Sequence, residues 1–439
     1  MTEFGGADEK ISLKLLAKHC VDACVRGCKE IRAVAKRNKR VMDDDGNFAM
    51  KKEKIKHTFK DENDARSALT EADVNAQSVI IGALRKSYGE RLNIVGEEDG
   101  DANAKPREDE EKLRDDCFEF SKMEEVEDVE VRVGDCVVFV DPVDGTREFI
   151  EERYQNCQCL IGIAHKGRAV VGVVGIPFPK GEITKDCDVE ALAVVYGMCY
   201  EKEDEGGTVV RVLETCNETL LGNAAAAATT IALAETTKTK TTKTPTTNQQ
   251  QQQQKKQRVS SETTTPSSPY ILTTGDSKSK ALRAAVEVVE ECIRDDNAYP
   301  TPPERLITGG AGNKILRVAT GISPSSSSSQ QTPPTTTTPN DPSKQTKNAP
   351  PDCALMHMGT CAWDTAAPEA VLRASGGTVT DLFGSRLVYD CSNKNEAYVN
   401  ARGVLASSKR TVESGLHDVF CQKMRESETL LTLFGIEIL

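Results

Sequence analysis

The chain has 439 residues and a mass of 47.7 kDa, and its 38% hydrophobic and 28% charged residues are enough to build a core of two or three domains. Its 68 acidic and 56 basic residues give a net charge of −12, which does not fit the basic surface of nucleic-acid or membrane-surface binders. The polar first ten residues do not resemble a signal or transit peptide, and no apolar run approaches ~18 residues. We therefore expect a cytoplasmic protein with no nucleic-acid or membrane partner.

Helical spacing of apolar residues and short apolar runs alternate along the chain. The spacing predicts helices over 11–37, 65–88, 278–294 and 364–374. The runs predict strands over 92–95, 136–140, 159–164, 169–176, 191–196, 209–213, 271–274, 306–308 and 378–380. Mixed strands with helices between them predict a layered α/β fold.

Two segments, 223–269 and 323–351, are of low complexity and poor in large apolar side chains. Such segments cannot bury enough apolar surface to offset the entropy of ordering, so we predict disordered insertions. The first separates an N-terminal half, 1–222, from a C-terminal half, 270–439, and the second lies within the C-terminal half. An acidic stretch over 100–134 is predicted to be a third insertion, solvated and partly helical.

The 15 cysteines include no C-x-x-C pair, and the five histidines show no zinc-binding spacing. Because no export signal is recognisable, a disulfide framework is not expected. Cys20, Cys24 and Cys28 lie at i, i+4 and i+8 on one face of the first predicted helix. Small apolar side chains facing a core are the favoured interpretation, and a metal or cluster site is the alternative.

The sequence D-P-V-D-G-T directly follows the apolar strand over 136–140. The proline stiffens the turn, so Asp141 and Asp144 are held in a fixed relation. Gly145 and Thr146 precede a helix start, where free amides suit a phosphate. Asp-Pro and Asp-Gly also make ordinary turns, but two carboxylates are more than a turn needs. A rigid carboxylate pair beside a phosphate cradle indicates a magnesium site.

Three further acidic segments are unremarkable alone: T-E-A-D over 70–73 on a helix, G-E-E-D over 96–99 after a strand, and W-D at 363–364. Their ordinary interpretations are a polar helix face, an acidic loop and a helix N-cap. Together with the D-P-V-D-G-T turn they place five carboxylates at the ends of predicted elements: Asp73, Glu97, Asp141, Asp144 and Asp364.

This conjunction resembles the lithium-sensitive, magnesium-dependent phosphomonoesterase superfamily that contains inositol monophosphatase and fructose-1,6-bisphosphatase. The family pattern is an acidic residue on a helix, then G-E-E, D-P-x-D-G-T and W-D followed by G-G. The resemblance implies a sugar-phosphatase-like αβαβα sandwich, with metal bound by the N-terminal half and nucleotide by the C-terminal half. It extends over 65–99, 135–182, 270–320 and 352–408.

Segments 144–178, 309–321 and 363–381 look most like those of 3′(2′),5′-bisphosphate nucleotidases. These enzymes remove the 3′-phosphate from 3′-phosphoadenosine 5′-phosphate and leave AMP. The resemblance therefore implies an enzyme with a small-molecule substrate, and we expect a monomer. Inositol polyphosphate 1-phosphatase is the alternative within the superfamily. A catalytically silent binding protein is a third alternative, against which the intact carboxylates argue.

The resemblance also implies a role for each site residue. Asp73 and Thr146 would position and deprotonate the attacking water. Two or three Mg²⁺ ions per site, with Li⁺ as an inhibitor, are expected. The implied metal ligands are Glu97, Asp141, the Val143 carbonyl oxygen, Asp144 and Asp364. The implied substrate-binding residues are Gly145, Thr146, Thr274, Ser277, Gly310 and Lys314.

Two segments of the C-terminal half, 309–314 and 274–277, bear on substrate choice. G-G-A-G-N-K over 309–314 follows a strand and opens a helix, so its amides can approach an anion and Lys314 adds a charge. A tight strand–helix connection is the alternative, and Lys314 is expected to lie away from the metal carboxylates. The family often has T-R-S-H where this chain has T-G-D-S over 274–277. Ser277 can donate a hydrogen bond but carries no charge, which affects substrate preference and not the chemistry.

Overall fold

The computed structural model describes fourteen ranges of the chain. These are residues 9–39, 57–59, 68–98, 111–179, 181, 192–202, 208–216, 232–238, 269–296, 298–299, 301–321, 350–357, 359–390 and 398–436. Within them, no helix combines the length and the apolar character needed to cross a membrane.

The N-terminal elements are mostly strands. They are β1 (Lys10–Ser12), α1 (Leu13–Lys39), β2 (His57–Phe59), β3 (Ala68–Thr70), α2 (Glu71–Tyr88), β4 (Asn93–Gly96), α3 (Ser121–Glu124), β5 (Glu130–Arg132), β6 (Cys136–Asp144), α4 (Thr146–Ile150), β7 (Gln158–His165), β8 (Arg168–Ile176), β9 (Ala193–Glu201), β10 (Thr208–Cys216) and β11 (Ala232–Lys238). The C-terminal elements are β12 (Ile271–Thr274), α5 (Lys280–Asp295), β13 (Glu304–Ile307), α6 (Ala311–Thr320), β14 (Cys353–Met356), α7 (Ala362–Ala374), β15 (Thr378–Thr380), β16 (Val404–Ser407), α8 (Lys409–Glu413), α9 (Leu416–Glu426) and α10 (Glu428–Leu433).

Two large sheets organise these elements. The first has seven strands in the order β11-β10-β9-β8-β7-β6-β4, and only the β4–β6 pair is parallel. The second has five strands in the order β13-β12-β14-β16-β15, with β12 parallel to both of its neighbours. Two-stranded sheets pair β1 with β5 and β2 with β3.

The helices and sheets form five alternating layers. Helices α1 and α2 pack on one face of the seven-stranded sheet, and α6 and α7 lie between the two sheets. Helices α5, α9 and α10 cover the far side of the five-stranded sheet. This architecture confirms the predicted αβαβα sandwich.

Alternating side chains on the strands of the first sheet build the two layers beside it. On β7, Ile161 and Ile163 pack towards α1 and α2, whereas Leu160 packs towards α6 and α7. Successive side chains of a strand point to opposite faces, so an almost continuously apolar strand is one that is buried on both sides. The apolar runs that predicted these strands are explained by this double burial.

A row of glycines brings α7 close to the first sheet. Gly162, Gly172 and Gly197 lie opposite one another on β7, β8 and β9. A Cβ atom at Gly172 would lie 1.8 Å from the carbonyl oxygen of Ala367, and one at Gly197 would lie 2.6 Å from Cα of Val371. Only glycine allows this close approach, which fixes the position of the middle of α7, at Ala367 and Val371.

The structure corrects several predicted boundaries. Helix α2 begins at Glu71, not at residue 65, and β6 extends through the acidic turn to Asp144. Within the insertion over 223–269, Ala232–Lys238 pairs with β10 as an edge strand, so the prediction of disorder is wrong for this stretch. Apart from residues 269, 350 and 351, the rest of both low-complexity insertions lies outside the described residues. In the acidic segment, Ser121–Glu124 is helical as predicted, but Phe120, Met123 and Val126 are buried in the core, so the prediction of a solvated insertion is wrong for this part.

Candidate functional site

The parallel pairing of β4 with β6 brings two acidic segments together. Gly96 lies opposite Val140, and the Glu97 amide donates to the Val140 carbonyl over 3.0 Å. Because parallel strands end at the same edge of a sheet, Glu97 lies beside Asp141 at this edge. The sequence predicted both carboxylates from their positions after apolar strands.

A buried glutamine, which the sequence analysis missed, links α2 by hydrogen bonds to the backbone of the loop that carries Glu97 and Glu98. The Gln77 side chain donates to the Glu98 carbonyl over 2.7 Å and accepts from the Glu98 amide over 3.0 Å. A Cβ atom at Gly96 would lie 2.4 Å from the Gln77 side-chain oxygen, so this loop requires glycine. The amphipathic pattern of α2 carries no signal that distinguishes Gln77 from any other polar residue.

The D-P-V-D-G-T turn ends β6 and begins α4. Pairing with β7 is irregular between Asp141 and Asp144, and Gly145 follows with a φ of 88°, which favours glycine. The Thr146 hydroxyl lies 3.1 Å from the Val143 carbonyl oxygen. The turn thus presents two carboxylates, a carbonyl and a hydroxyl within six residues.

Asp364 lies in the first turn of α7 and not at its N-cap. The helix begins at Ala362, and the Asp364 carboxylate accepts from the Cys361 amide over 2.5 Å. The prediction placed the helix start two residues too late. The carboxylate nevertheless holds the helix start, as acidic groups do near the positive end of a helix dipole.

Three carboxylates converge at this edge of the first sheet. One oxygen each of Asp141, Asp144 and Asp364 lie within 4.8 Å of one another. Burial, together with repulsion by Glu97 and Asp144, raises the pKa of Asp141 and of Asp364 well above the usual range. One Asp141 oxygen, Oδ1, is buried and has no hydrogen-bond partner among the described residues.

That arrangement is costly without a counter-ion and fits a hard divalent cation. A buried, unpaired carboxylate oxygen loses its hydration without compensation. Mg²⁺ prefers oxygen ligands and is commonly held by one or two carboxylates together with substrate phosphate. The Val143 carbonyl adds an uncharged oxygen beside the carboxylates.

Asp144 is held by the start of α6. Its Oδ1 accepts from the Ala311 amide over 2.8 Å, and its Oδ2 accepts from the Asn313 amide over 3.1 Å. A Cβ atom at Gly310 would lie 2.6 Å from Asp144 Oδ2. The expectation that these glycine-lined amides approach a substrate anion is therefore corrected. The anion that they approach is a carboxylate of the protein, and hydrogen bonding orients it.

Lys314 lies closer to the acidic cluster than the sequence predicted. It is buried, its amine donates to the Gly310 carbonyl over 2.7 Å, and it interacts electrostatically with Asp144 and Asp364. Burial lowers the pKa of Lys314, while these carboxylates oppose the shift. The expectation that Lys314 lies away from the metal carboxylates is wrong. Its charge offsets part of theirs.

Asp73 is paired with Thr146 across the site. Asp73 is fully buried, and its Oδ1 accepts from the Thr146 hydroxyl over 3.0 Å. Its Oδ2 accepts from the Thr70 amide over 2.8 Å and from the Thr70 hydroxyl over 2.5 Å. Burial raises the pKa of Asp73 to about 7, although the bonds from Thr70 oppose the shift. Thr70 was not predicted, but the T-x-x-D spacing of a helix capping box was a usable signal.

A cavity of 410 Å³ is lined by most of the predicted site residues, whereas Asp73 is not among them and contacts it only through Thr146. The predicted site residues that line it are Glu97, Asp141, Val143, Asp144, Gly145, Thr146, Ser277, Gly310, Lys314 and Asp364. Thr274 is not among the lining residues, and its buried hydroxyl has no hydrogen-bond partner within the described ranges.

The cavity is also lined by three residues to which the sequence analysis gave no role. They are His357 and the ion pair of 2.9 Å between Arg147 and Asp276. No motif or spacing in the sequence indicated these three.

In the metal-free protein, buried carboxyls are expected to make stability fall as the pH rises. The pKa of Asp73 is raised from 3.8 to about 7 and that of Asp144 to about 6, chiefly by burial. Each carboxyl binds its proton more tightly in the folded state. The free energy of unfolding that each bound proton adds is therefore complete below the pKa of the carboxyl in the unfolded chain. It is lost as the pH rises through the pKa in the folded protein.

Chemical unfolding in chelator between about pH 4 and about pH 8 checks this expectation. Asp73→Asn removes one titrating group, so its stability should fall less steeply with pH than that of the wild type. The difference in slope can reach about 1.4 kcal/mol per pH unit for one proton. If the free energy of unfolding changed with pH equally in the two proteins, burial would not be what raises the pKa of Asp73.

Comparison with known proteins gives both sequence and structural relatives. A profile of the inositol monophosphatase family matches residues 18–322 and 352–429. The rat protein named 3′(2′),5′-bisphosphate nucleotidase 1 is 28% identical over 345 residues, which cover 77% of this chain and 78% of the relative. The human protein of the same name is 27% identical over 365 residues, or 82% of each chain.

Among solved structures, the similarity is more distant. The crystal structure of CysQ from Bacteroides thetaiotaomicron, a bacterial member of the inositol monophosphatase family, aligns with 91% of this chain and 98% of its own. Its TM-score is 0.44 and its sequence identity is 17%.

Proposed function

The chain belongs to the inositol monophosphatase family of phosphatases, and we propose that it is an Mg²⁺-dependent phosphomonoesterase acting on 3′-phosphoadenosine 5′-phosphate. The reaction would hydrolyse the 3′-phosphate to give AMP and inorganic phosphate. The observation that carries the proposal is the convergence of three carboxylates, one of them with an unpartnered buried oxygen, at a cavity of 410 Å³.

The residues proposed to hold Mg²⁺ are Glu97, Asp141, the Val143 carbonyl, Asp144 and Asp364, for two or three ions per site. Bound there, Mg²⁺ would stabilise the charge that develops on the phosphate and leaving-group oxygens and lower the pKa of water. The protein supplies the rest of the site. It fixes Asp144 on the amides of α6, Glu97 directly after β4 and Asp364 on the first turn of α7.

Asp73 and Thr146 are proposed to accept the proton of the attacking water. The Thr146 hydroxyl donates to Asp73 over 3.0 Å, which leaves its oxygen free to accept a hydrogen bond from water. A water proton can thus pass to Thr146 while the hydroxyl proton passes to Asp73. A raised pKa of about 7 for Asp73 suits such a base near neutral pH. No covalent enzyme intermediate is required.

The nucleotide is proposed as substrate because both reported relatives are named bisphosphate nucleotidases and align with about four-fifths of the chain. Gly145, Thr146, Ser277, Gly310 and Lys314 line the cavity and are its proposed contacts. Thr274, on the adjoining strand end, is proposed as an indirect contact. Inositol polyphosphate 1-phosphatase remains the second candidate, because Ser277 offers a hydroxyl and no charge. The enzyme is proposed to be a cytoplasmic monomer.

A comparison of kcat/KM for three substrates in saturating Mg²⁺ tests the nucleotide proposal. The substrates are 3′-phosphoadenosine 5′-phosphate, adenosine 3′-monophosphate and inositol 1,4-bisphosphate. The bisphosphate nucleotide should be used best. A preference for inositol 1,4-bisphosphate would overturn the nucleotide assignment and favour the second candidate.

Lys314→Ala is expected to raise KM more for 3′-phosphoadenosine 5′-phosphate than for adenosine 3′-monophosphate. A charge-assisted hydrogen bond to the 5′-phosphate contributes roughly 1.5–3 kcal/mol, or about ten- to a hundredfold in affinity. The exposed Lys278, close to Ser277 in sequence, provides a control, and Lys278→Ala should leave both KM values unchanged. Equal losses on the two substrates would show that Lys314 acts only through the carboxylates near it.

Lithium is expected to inhibit the enzyme at millimolar or lower concentrations. The proposed reason is that Li⁺ replaces one Mg²⁺ among the intact acidic motifs. Initial rates at subsaturating and saturating Mg²⁺, with Na⁺ replacing Li⁺ as the control, measure this effect. Rates that do not respond to Li⁺ at either Mg²⁺ level would contradict the lithium part of the proposal.

A further inference from the structure

A second cluster of potential metal ligands lies in the core, built by cysteines from two elements. Cys24 and Cys28 are on α1, and Cys159 is on β7. One sulfur atom from each lies within 4.8 Å of the other two, and all three residues are fully buried. The sequence grouped Cys24 and Cys28 with Cys20, whereas the fold places Cys159, 131 residues beyond Cys28, beside this pair instead.

The packing of α1 on the first sheet leaves space for these sulfur atoms. Residues four apart lie on the same face of a helix, so Cys24 and Cys28 point to the same place on the sheet. Cys159 pairs with Gly175 on β8, next to that place. A Cβ atom at Gly175 would lie 2.4 Å from the Cys28 sulfur and 2.6 Å from the Cys24 sulfur. The glycine therefore provides the volume that two sulfurs occupy.

A buried cation lies close to the thiols. Arg32 is one helical turn beyond Cys28 on α1, and only 2% of its surface is exposed. Burial raises the pKa of the Cys28 thiol well above its usual range, and the positive charge of Arg32 opposes this shift in part. A guanidinium at this position would offset part of the negative charge of thiolate ligands.

We propose that Cys24, Cys28 and Cys159 together bind one soft, thiophilic metal ion, for which Cu⁺ is the best match. Thiolate ligands select soft ions such as Cu⁺ over the hard Mg²⁺ proposed for the carboxylate site. Structural Zn²⁺ almost always takes four ligands, and these three thiols are the only cysteine cluster in the described ranges. Each thiol that becomes a ligand releases one proton to solvent, so binding of one ion releases up to three protons.

Anaerobic titration of the full-length, reduced protein with Cu⁺ tests this proposal, with Mg²⁺ present to occupy carboxylates. The expected result is one Cu⁺ per chain, a thiolate-to-copper charge-transfer absorption and a higher melting temperature, because the ion ties α1 to β7. Titration with Zn²⁺ serves as the comparison and should give weaker binding. Tighter binding of Zn²⁺ would overturn the choice of Cu⁺, and absence of thiolate charge transfer with either ion would overturn the site.

Cysteine variants assign the ligands. Cys28→Ala and Cys159→Ala should each weaken Cu⁺ binding by more than about a hundredfold, since even changes outside the first ligand shell cost ten- to a hundredfold. Cys20→Ala is the matched control, because Cys20 is equally buried on the same helix but lies outside the trio. Its affinity should equal that of the wild type. Retained binding in both ligand variants, or equal loss in the control, would contradict the assignment.

A variant that does not fold gives no affinity, so the loaded wild-type protein provides a second measurement. X-ray absorption at the copper edge counts the atoms that surround the ion. Three sulfur neighbours are expected. Nitrogen or oxygen neighbours alone would overturn the proposal.

Discussion

Asp141→Asn is expected to fold and to lose at least about a thousandfold in turnover. Its carboxylate has a buried oxygen with no hydrogen-bond partner in the described part of the chain, which is the property expected of a metal ligand. Loss of one ligand from a metal site that stabilises the transition state should cost several kcal/mol, and about 4 kcal/mol corresponds to three decades in rate. Steady-state kinetics in saturating Mg²⁺ give the size of the loss.

The same variant should change stability in opposite directions with and without metal. In chelator, Asp141→Asn should be more stable than the wild type, because it removes one of three carboxylates that lie within 4.8 Å. Added Mg²⁺ should raise the melting temperature of the wild type but not that of the variant. Asp276→Asn is the matched control: Asp276 lines the same cavity but pairs with Arg147, so the response to Mg²⁺ should persist.

A folded Asp141→Asn protein that keeps activity within about tenfold of the wild type would contradict the metal assignment. So would a variant that Mg²⁺ stabilises as strongly as it does the wild type. Either result would leave the carboxylate cluster without a role in cation binding.

Asp73→Asn is expected to lower kcat by about two to four decades while the response to Mg²⁺ is kept. Asp73 accepts from the Thr146 hydroxyl and would take up the proton that leaves water, and general base catalysis typically contributes that much. Asparagine keeps the shape of the side chain but cannot accept the proton. The pH dependence of kcat should also lose the acidic limb that protonation of Asp73 produces.

Thr70→Val provides a graded comparison for this prediction. It removes the hydroxyl that donates to Asp73 but keeps the backbone amide bond of 2.8 Å. The pKa of Asp73 should rise further, and the acidic limb of the pH profile should move to higher pH. An Asp73→Asn enzyme with an unchanged pH profile, or one that no longer responds to Mg²⁺, would show that Asp73 is not the base.

The proposed metal-site residues were predictable as a group because each lies near the end of a regular element. Glu97 follows β4 and Asp141 follows the apolar part of β6, and parallel pairing of these strands brings the two carboxylates together. The layered fold was predictable for a similar reason, since its strands are buried on both faces and therefore read as continuous apolar runs. The implied residue roles, however, depend on the family resemblance and not on the spacing alone.

What could not be predicted depends on side-chain direction. The G-G-A-G-N-K segment has the composition of an anion site, but only the fold shows that its amides bind Asp144. The same holds for Lys314, whose amine reaches back towards the acidic cluster. Composition also failed for Ala232–Lys238, where backbone pairing with the edge of the sheet orders a stretch with few large side chains.

The most direct measurement of the central claim is phosphate release from 3′-phosphoadenosine 5′-phosphate by the full-length protein, with Mg²⁺ and with chelator. Products are identified by chromatography. We predict equimolar AMP and inorganic phosphate with Mg²⁺, and release close to the protein-free blank in chelator. Equal release under both conditions, or none above the blank with Mg²⁺, would contradict a magnesium-dependent nucleotide phosphatase.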